Sequence, residues 1–205
     1  MEQLPYFNKI TLGEILGKSG ENLNYWVKKL LKTGDIITLK NGLYVSRQYL
    51  FGLDRNPALK ELYFEYLANV LRYPSYITLE YAMSKYGLIP ESIFSITSVT
   101  LKSSRIYQNN LVSFSYRSIK PELFEGFVNV DFEGKRVKIA TKAKTLYDFL
   151  YFKKFVSLQQ LKNELNSSLR INWDNFNMND KVEFKQFTEK LGIVKMQRVI
   201  KILKW

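Results

Sequence analysis

The chain contains no cysteine and no histidine. Without cysteine it forms neither disulfides nor thiolate metal sites. Without histidine it also lacks Cys/His and Ser/His nucleophilic pairs, histidine general bases and His-containing zinc sites. Carboxylates with Mg²⁺ and Ser, Lys or Tyr systems are the chemistry that remains. Because no constellation of these residues stands out along the chain, we predict a protein that is not an enzyme and has no cofactor or metal site.

Long apolar runs are also absent. No stretch approaches the ~20 apolar residues of a membrane-spanning helix. Residues 1–6 lack the basic and apolar regions of a signal peptide. Hydrophobic residues nonetheless make up 46% of the 205 residues, enough for one large domain or two small ones. The sequence therefore predicts a cytoplasmic protein with no membrane partner.

Acidic residues are scarce relative to basic ones. The chain has 19 Asp and Glu against 31 Lys and Arg, a formal net charge of +12. A positive excess of this size favours a polyanionic partner such as nucleic acid. The abundance of Lys, Asn, Ile, Tyr and Phe would also follow from an AT-rich genome, so charge alone does not define the partner.

Two helices are predicted at the start of the chain. The first runs from Thr11, its N-terminal cap, to Leu16. Its apolar residues share one face at helical spacing and are Leu12, Ile15 and Leu16. The second covers residues 22–33 and ends at Gly34. Its apolar stripe consists of Leu23, Trp26, Val27 and Leu30.

The face opposite that stripe is polar and mostly basic. It carries Glu21, Asn22, Tyr25, Lys28, Lys29 and Lys32. All of these except Glu21 donate hydrogen bonds to phosphates or base edges. Taken alone, the lysines would also fit the solvated side of an amphipathic helix.

A β-hairpin is predicted over residues 36–45, around Asn41-Gly42. Asn-Gly is a strong signal for a type I′ turn, which requires positive φ at both residues. The tip would offer Lys40 and Asn41 to the DNA backbone or minor groove. Helix, helix and hairpin is the order of a winged helix-turn-helix, which presents one helix to the major groove. We therefore predict a DNA-binding domain over residues 1–52.

The residues predicted to contact DNA lie on the second helix and at the hairpin tip. Those placed for base edges are Asn22, Asn24 and Tyr25, of which Asn24 is nearer the flank of the helix. Those suited to phosphates are Lys28, Lys29, Lys32 and Lys40, and Asn41 accompanies them at the hairpin tip.

A polar joint at residues 54–57 separates this domain from a second one over residues 57–205. The second domain begins with a helix over 57–71, a break at 73–77 and a helix over 78–86. The predicted strands, which form a small and mostly antiparallel sheet, are 93–101, 106–107, 111–116, 127–132 and 135–140. The predicted C-terminal helices are 142–152, 157–166, 180–191 and 194–203, with a short turn near 173–176. The fold class is α+β, with flanking helices and a helical C-terminus.

Three motif-like patterns receive structural interpretations. Tyr81 and Lys85 have the spacing of a dehydrogenase pair, but no glycine-rich strand-to-helix turn accompanies them. Asp131 and Glu133 beside Gly134 resemble a metal-ligating turn, yet a simple hairpin is the better interpretation. Asp148 lies four residues after Lys144, which predicts a surface ion pair, with a structural hydrogen bond as the next choice. Aromatic residues between 147 and 155 are expected to pack in the core.

Several short segments occur in a characteristic order between about residues 10 and 155. They are KNGLY at 40–44, PSYITLEYA at 74–82, YGLIPE at 86–91, ITSVT at 96–100, FSY at 114–116 and IATKAKTLYDFLY at 139–151. With these segments the chain resembles the AbiEi family, the antitoxins and transcriptional regulators of bacterial type IV toxin–antitoxin, or abortive infection, systems.

The resemblance implies a division of labour. The N-terminal winged domain would bind double-stranded DNA at inverted repeats in its own promoter. The C-terminal domain would counter a nucleotidyltransferase-like toxin and assist repression, and a stable complex with that toxin is not implied. The alternatives are a stand-alone winged-helix regulator, and a nucleic-acid or protein interaction module without a toxin partner.

Overall fold

A computed structural model describes residue 1 and residues 3–205. The architecture is α+β, as the sequence predicted. Within the described residues the helices are α1 (Lys9–Leu16), α2 (Gly20–Thr33), α3 (Arg47–Leu53), α4 (Pro57–Leu71), α5 (Leu79–Lys85), α6 (Lys142–Phe152), α7 (Leu158–Asn163), α8 (Met178–Leu191) and α9 (Val194–Leu203). The strands are β1 (Phe7–Asn8), β2 (Ile36–Lys40), β3 (Leu43–Ser46), β4 (Ser75–Ile77), β5 (Ile96–Thr100), β6 (Arg105–Gln108), β7 (Ser113–Ser118), β8 (Phe127–Phe132) and β9 (Lys135–Ala140). Short helical turns lie at Pro121–Leu123, Glu164–Ser168 and Trp173–Asn175.

Helix α1 begins at Lys9, and its cap lies three residues before the predicted position. Asn8, and not Thr11, is its N-terminal cap, since Asn8 Oδ1 accepts a hydrogen bond from the backbone N–H of Thr11 at 2.9 Å. The predicted apolar face is also only partly correct. Leu12 is fully buried, whereas Ile15 is 45% exposed, because the short helix has only one side against the rest of the protein.

Helices α1 and α2 are joined by a three-residue connection and pack closely. A Cβ atom at Gly13 would lie 2.9 Å from both Leu23 Cδ2 and the Lys18 carbonyl oxygen, so only glycine fits there. Leu23 and Val27 of α2 are buried, as the stripe predicted. Gly34 has φ +74° and ends α2 in the left-handed conformation, which confirms the predicted C-terminal cap.

The predicted hairpin, β2 and β3, follows α2 and joins β1 in a three-stranded sheet with the order β1-β3-β2. Its turn differs from the prediction. Gly42 has φ +75°, but Asn41 does not have a positive φ, so the turn is not type I′. A bulge between Thr38 and Lys40 shifts the register instead and buries Leu39.

The second sheet has six strands in the order β6-β7-β5-β4-β9-β8. Three of its neighbouring pairs are antiparallel, and β5 with β7 and β4 with β9 are parallel. The sheet is thus mixed, with antiparallel pairs in the majority, and it is larger than the small sheet that was predicted. Strand β4 lies at its centre although residues 73–77 were predicted to be a break. That prediction was wrong because three residues after a proline are too few to show a period of two.

The larger sheet separates two hydrophobic cores. Successive residues of a strand point to opposite faces, and in β4 Tyr76 joins the core with α6, α8 and α9, while Ile77 joins the core with α4. The second of these cores also contains Leu39 and Val45 of the hairpin and Leu50 of α3. Residues on both sides of the predicted joint at 54–57 are therefore packed together.

Helix α3, which the sequence pattern did not predict, makes that connection. Its signal is a single cap: Ser46 Oγ accepts a hydrogen bond from the backbone N–H of Tyr49 at 3.1 Å. Helices α4, α6 and α9 have the predicted bounds, whereas α8 begins two residues before the predicted position and α5 is one residue shorter at each end. The helix predicted over 157–166 divides into α7 and a π-helical turn at Glu164–Ser168.

Candidate nucleic-acid interface

The polar face of α2 is open to solvent along its whole length. Asn22, Asn24, Lys28, Lys29 and Lys32 are all exposed, and Tyr25 has 60% of its surface exposed. The exposed side of α2 is the side opposite the apolar stripe, as predicted. Every predicted contact on α2 is therefore accessible to solvent.

The positive charges of the three lysines of α2 are not neutralised by any described acidic residue. Among the described residues, none of Lys28, Lys29 and Lys32 forms an ion pair. Lys29 Nζ lies 4.5 Å from the ring centroid of Trp26, which orients the side chain along the helix without neutralising its charge. The face keeps a positive potential that a polyanion can use.

The two asparagines at the start of α2 are not equivalent. Asn24 Oδ1 accepts a hydrogen bond from Lys9 Nζ, so this side chain bridges α1 and α2. Its amide group keeps two donors but has one acceptor engaged. Asn22 is exposed and lies two residues nearer the helix start. Of the two, Asn22 has the more accessible amide for a base edge.

Lys40 does not occupy the position that the sequence predicted. Its ammonium group donates a hydrogen bond to the carbonyl oxygen of Leu71 at 2.8 Å and lies 5.9 Å from the ring centroid of Tyr107. The bulge in β2 accounts for this, because an extra residue changes the direction of the side chains that follow it. Lys40 thus holds the hairpin against the end of α4, and Asn41 is the exposed residue at the tip.

A groove of about 860 Å³ lies beside the hairpin. One wall is formed by consecutive residues 36–41 and the other by residues 106–111, so both walls are strand edges and not sheet faces. Lys40 and Arg47 line it, and none of the described acidic residues does. Asn109 closes one end by donating from Nδ2 to the Leu39 carbonyl oxygen at 3.3 Å.

A charged cluster is buried in the larger core. Lys144 Nζ and Asp148 Oδ1 are 2.5 Å apart, and both side chains are at most 1% exposed. The prediction of a surface pair was therefore wrong: both residues lie on the side of α6 that faces the core. Asp148 Oδ2 also accepts hydrogen bonds from the Tyr76 hydroxyl at 2.8 Å and the Thr78 hydroxyl at 3.0 Å.

Burial dominates the ionisation of this cluster. It raises the pKa of Asp148 above its usual range, against the lowering effect of Lys144 and of the two hydroxyl donors. Burial, together with the neighbouring carboxylate of Asp148, also raises the pKa of Tyr76. The cluster ties β4 to α6, because Tyr76 and Lys144 both bind the Asp148 carboxylate.

The dehydrogenase-like pair is bound to carboxylates. The Tyr81 hydroxyl donates to Glu65 at 2.9 Å, and Lys85 Nζ lies 2.7 Å from the same residue. Lys85 also pairs with Glu61 at 2.9 Å. Lys85 and Tyr81 thus compensate the buried charge of Glu65, which is 1% exposed.

The residues of the suspected metal turn form a hairpin, as predicted. Glu133 and Gly134 have φ values of +48° and +75° and connect β8 to β9, the geometry of a type I′ turn. Asp131 Oδ2 accepts from the Gly134 backbone N–H at 3.2 Å. In the described part of the chain, no three acidic residues lie close enough together to hold a metal ion.

Comparison with known proteins yields no match: no family model fits the chain, and no curated protein is significantly similar to it. None of the helices in the described residues has the length and apolar character needed to cross a membrane.

Proposed function

We propose that the protein is a DNA-binding autorepressor that acts as the antitoxin of a toxin–antitoxin operon, of the AbiEi type that its sequence resembles. The N-terminal elements act as a winged helix-turn-helix on inverted repeats of the protein's own promoter. The remaining residues counter a nucleotidyltransferase-like toxin. The observation that carries the DNA-binding part is the open face of α2, whose three lysines form no ion pair with any residue that the structure describes.

The arrangement of α1 and α2 supports this proposal. Two helices joined by a short turn, the second exposed and basic, are what a helix-turn-helix needs to enter the major groove. Lys28, Lys29 and Lys32 contact phosphates, while Asn22 and Tyr25 lie toward the start of the helix, where such proteins contact base edges. Asn41 at the hairpin tip contacts the backbone or minor groove, and Lys40 takes no part.

The DNA-binding part is tested by fluorescence anisotropy on a duplex that contains the inverted repeat upstream of the gene. We expect submicromolar and strongly salt-dependent binding. Replacing Lys28, Lys29 and Lys32 by Glu should weaken binding at least tenfold. It should also lower the slope of log affinity against log salt by about three, because each phosphate contact contributes about 0.9 to that slope.

The matched control replaces Lys154, Lys162 and Lys201 by Glu. These lysines are exposed, lie outside α2 and, within the described residues, form no ion pairs, so the control makes the same change in net charge. If both triple variants lost affinity equally, or if the α2 variant kept it, the assignment of α2 would be wrong.

The antitoxin part is tested by co-expression with the product of the neighbouring reading frame. We expect restored growth with the wild-type chain. We expect the same with the variant in which Lys28, Lys29 and Lys32 are replaced by Glu, since it leaves residues 57–205 unchanged. Truncation of residues 1–50 is not a suitable variant, because Leu39, Val45 and Leu50 belong to a core shared with α4. If no toxic neighbour exists, the stand-alone regulator is the correct function.

The proposal also includes the absence of an enzymatic activity. The purified chain should not turn over nucleotides in the presence of Mg²⁺. Turnover that persists in a chromatographically homogeneous preparation would contradict this part alone and leave the DNA-binding test unaffected.

A further inference from the structure

A second cavity, of about 320 Å³, lies between the C-terminal half of α4 and the first half of β9. It occurs where two central strands separate, since β4 pairs with β9 only at Ile77 and Ile139. Beyond that point Asn69 replaces the missing strand: its Oδ1 accepts from the Lys138 backbone N–H at 2.6 Å and its Nδ2 donates to the Lys138 carbonyl at 3.4 Å. The cavity is therefore part of the fold, because Asn69 bonds the two backbone groups of Lys138 that the gap between the strands would otherwise leave unpaired.

The apolar side of the cavity is aromatic. Tyr6, Tyr66 and Tyr73 line it. Tyr66 is held in position by its stacked contact with Phe132, at 5.2 Å between ring centroids, and by Tyr6 at 6.2 Å. Tyr73 is 65% exposed, so its ring is available to a ligand. One held and one exposed tyrosine thus line the same cavity, and aromatic rings are side chains on which a flat ligand can stack.

The polar side of the cavity is cationic. Arg136 and Lys138 are two residues apart on β9 and lie on the same face of the strand. Among the described residues neither forms an ion pair, and no acidic residue lines the cavity. Asp131, the cross-strand neighbour of Arg136, accepts from Gly134 instead. Lys138 Nζ lies 5.8 Å from the ring centroid of Tyr73, so the charge and the stacking surface adjoin.

We propose that this cavity, the tyrosine pocket, binds a nucleoside monophosphate. The base stacks on Tyr66 and Tyr73, since any base offers a π-face to an aromatic side chain. Arg136 and Lys138 hold the phosphate, for which the planar guanidinium is well suited. The volume is at the lower end of the range for small-ligand sites, about 300–1,000 Å³, and suits one nucleotide rather than a strand. The site uses no residue of α2, so it is independent of the DNA-binding face.

The proposal is tested by isothermal titration calorimetry of the full chain with AMP, GMP, CMP and UMP. We expect saturable binding of at least one of them at one site per chain. Affinity should be at least tenfold higher than for the corresponding nucleoside alone or for inorganic phosphate alone. No saturation at millimolar concentration, or equal affinity for phosphate alone, would overturn the proposal. So would a single-stranded oligonucleotide that binds more tightly than every mononucleotide and competes for the pocket.

Two variants locate the binding. Tyr73→Ala and Arg136→Gln change exposed side chains and should keep the wild-type circular dichroism spectrum, while each weakens nucleotide binding about tenfold. Phe94→Ala and Arg198→Gln make the corresponding changes at exposed residues outside the pocket and should bind as the wild type does. Unchanged affinity in the first two variants, or an equal loss in all four, would place the nucleotide elsewhere.

Discussion

The ion pair between Lys144 and Asp148 is almost completely removed from water. Each side chain loses its hydration on folding, which costs free energy. The attraction between the two charges offsets this cost only because they are close together and because Tyr76 and Thr78 donate hydrogen bonds to the same carboxylate. Such a cluster stabilises little as a whole but is costly to break, since removal of one partner leaves a buried charge.

We expect Asp148→Asn to lower the free energy of unfolding by about 3–5 kcal/mol, because the Lys144 ammonium then lacks a counter-ion in the core. Adding Lys144→Met should recover a large part of this loss, since the isolated charge disappears. Urea denaturation of the two single variants and the double variant measures the coupling. Simple addition of the two single effects would mean that the pair is not coupled.

Lys40 is a structural residue because of one hydrogen bond. Its hydrogen bond to Leu71 crosses from the hairpin to the end of α4. Lys40→Ala should therefore lower the free energy of unfolding by about 1–2 kcal/mol, since the bond has a charged donor. DNA affinity in the anisotropy assay should stay within about twofold of the wild type. A tenfold loss of affinity would mean that Lys40 leaves Leu71 to contact DNA.

Among the secondary-structure elements, α1 and α2 depend on an unusually close approach. At Gly13 the nearest atoms to an added Cβ include the backbone carbonyl of Lys18, which cannot move as a side-chain end can. This approach brings α1 against Leu23 of α2, the helix that carries the exposed basic face.

Gly13→Ala should lower the free energy of unfolding by about 1–3 kcal/mol through overpacking. Gly52→Ala is the matched control. Gly52 lies in α3 with no atom within 4 Å of an added Cβ, so alanine should be neutral or stabilising there by up to about 1 kcal/mol. Thermal unfolding followed by circular dichroism compares the two. Equal midpoints would show that the α1–α2 contact tolerates a methyl group.

Over the whole molecule, tyrosine is unusually prominent in the interior. Burial raises the pKa of eight tyrosines above the usual value of 10. The pKa of Tyr49 is raised to about 12 by burial and by Glu133, to which its hydroxyl donates a hydrogen bond. In the unfolded chain these hydroxyls ionise near 10. The unfolded state therefore binds fewer protons than the native state at higher pH.

Stability should consequently be fully present below pH about 10 and fall as the pH rises above it. Each such tyrosine adds up to about 1.4 kcal/mol per pH unit to this fall. Urea denaturation at a series of alkaline pH values measures the slope, and tyrosinate absorbance should rise together with the loss of helical signal. Gradual ionisation of all tyrosines in a chain that stays folded would contradict the expectation. Tyr49→Phe should reduce the slope, because it removes one of these groups.

Much of the fold was accessible from local pattern. The helices α4, α6 and α9, the strands β8 and β9, and the buried and exposed faces of α2 follow from apolar spacing and from caps such as Gly34. Three features did not follow. Strand β4 is too short to show a period, α3 has only the cap Ser46 as a signal, and the bulge that turns Lys40 inward depends on how Leu39 packs.

The sequence by itself determined the α+β class, the absence of cysteine and histidine chemistry, and a basic helix face with Asn22, Tyr25 and three lysines. Periodicity and composition are local properties, so they are legible without a fold. Only the tertiary structure decided that Lys40 bonds Leu71 and that Lys144 and Asp148 are buried. It also decided that Tyr6, Tyr66 and Tyr73 line one cavity with Arg136 and Lys138 of β9. These features join residues far apart in the chain, or depend on which face a sheet covers, and no short-range pattern encodes either.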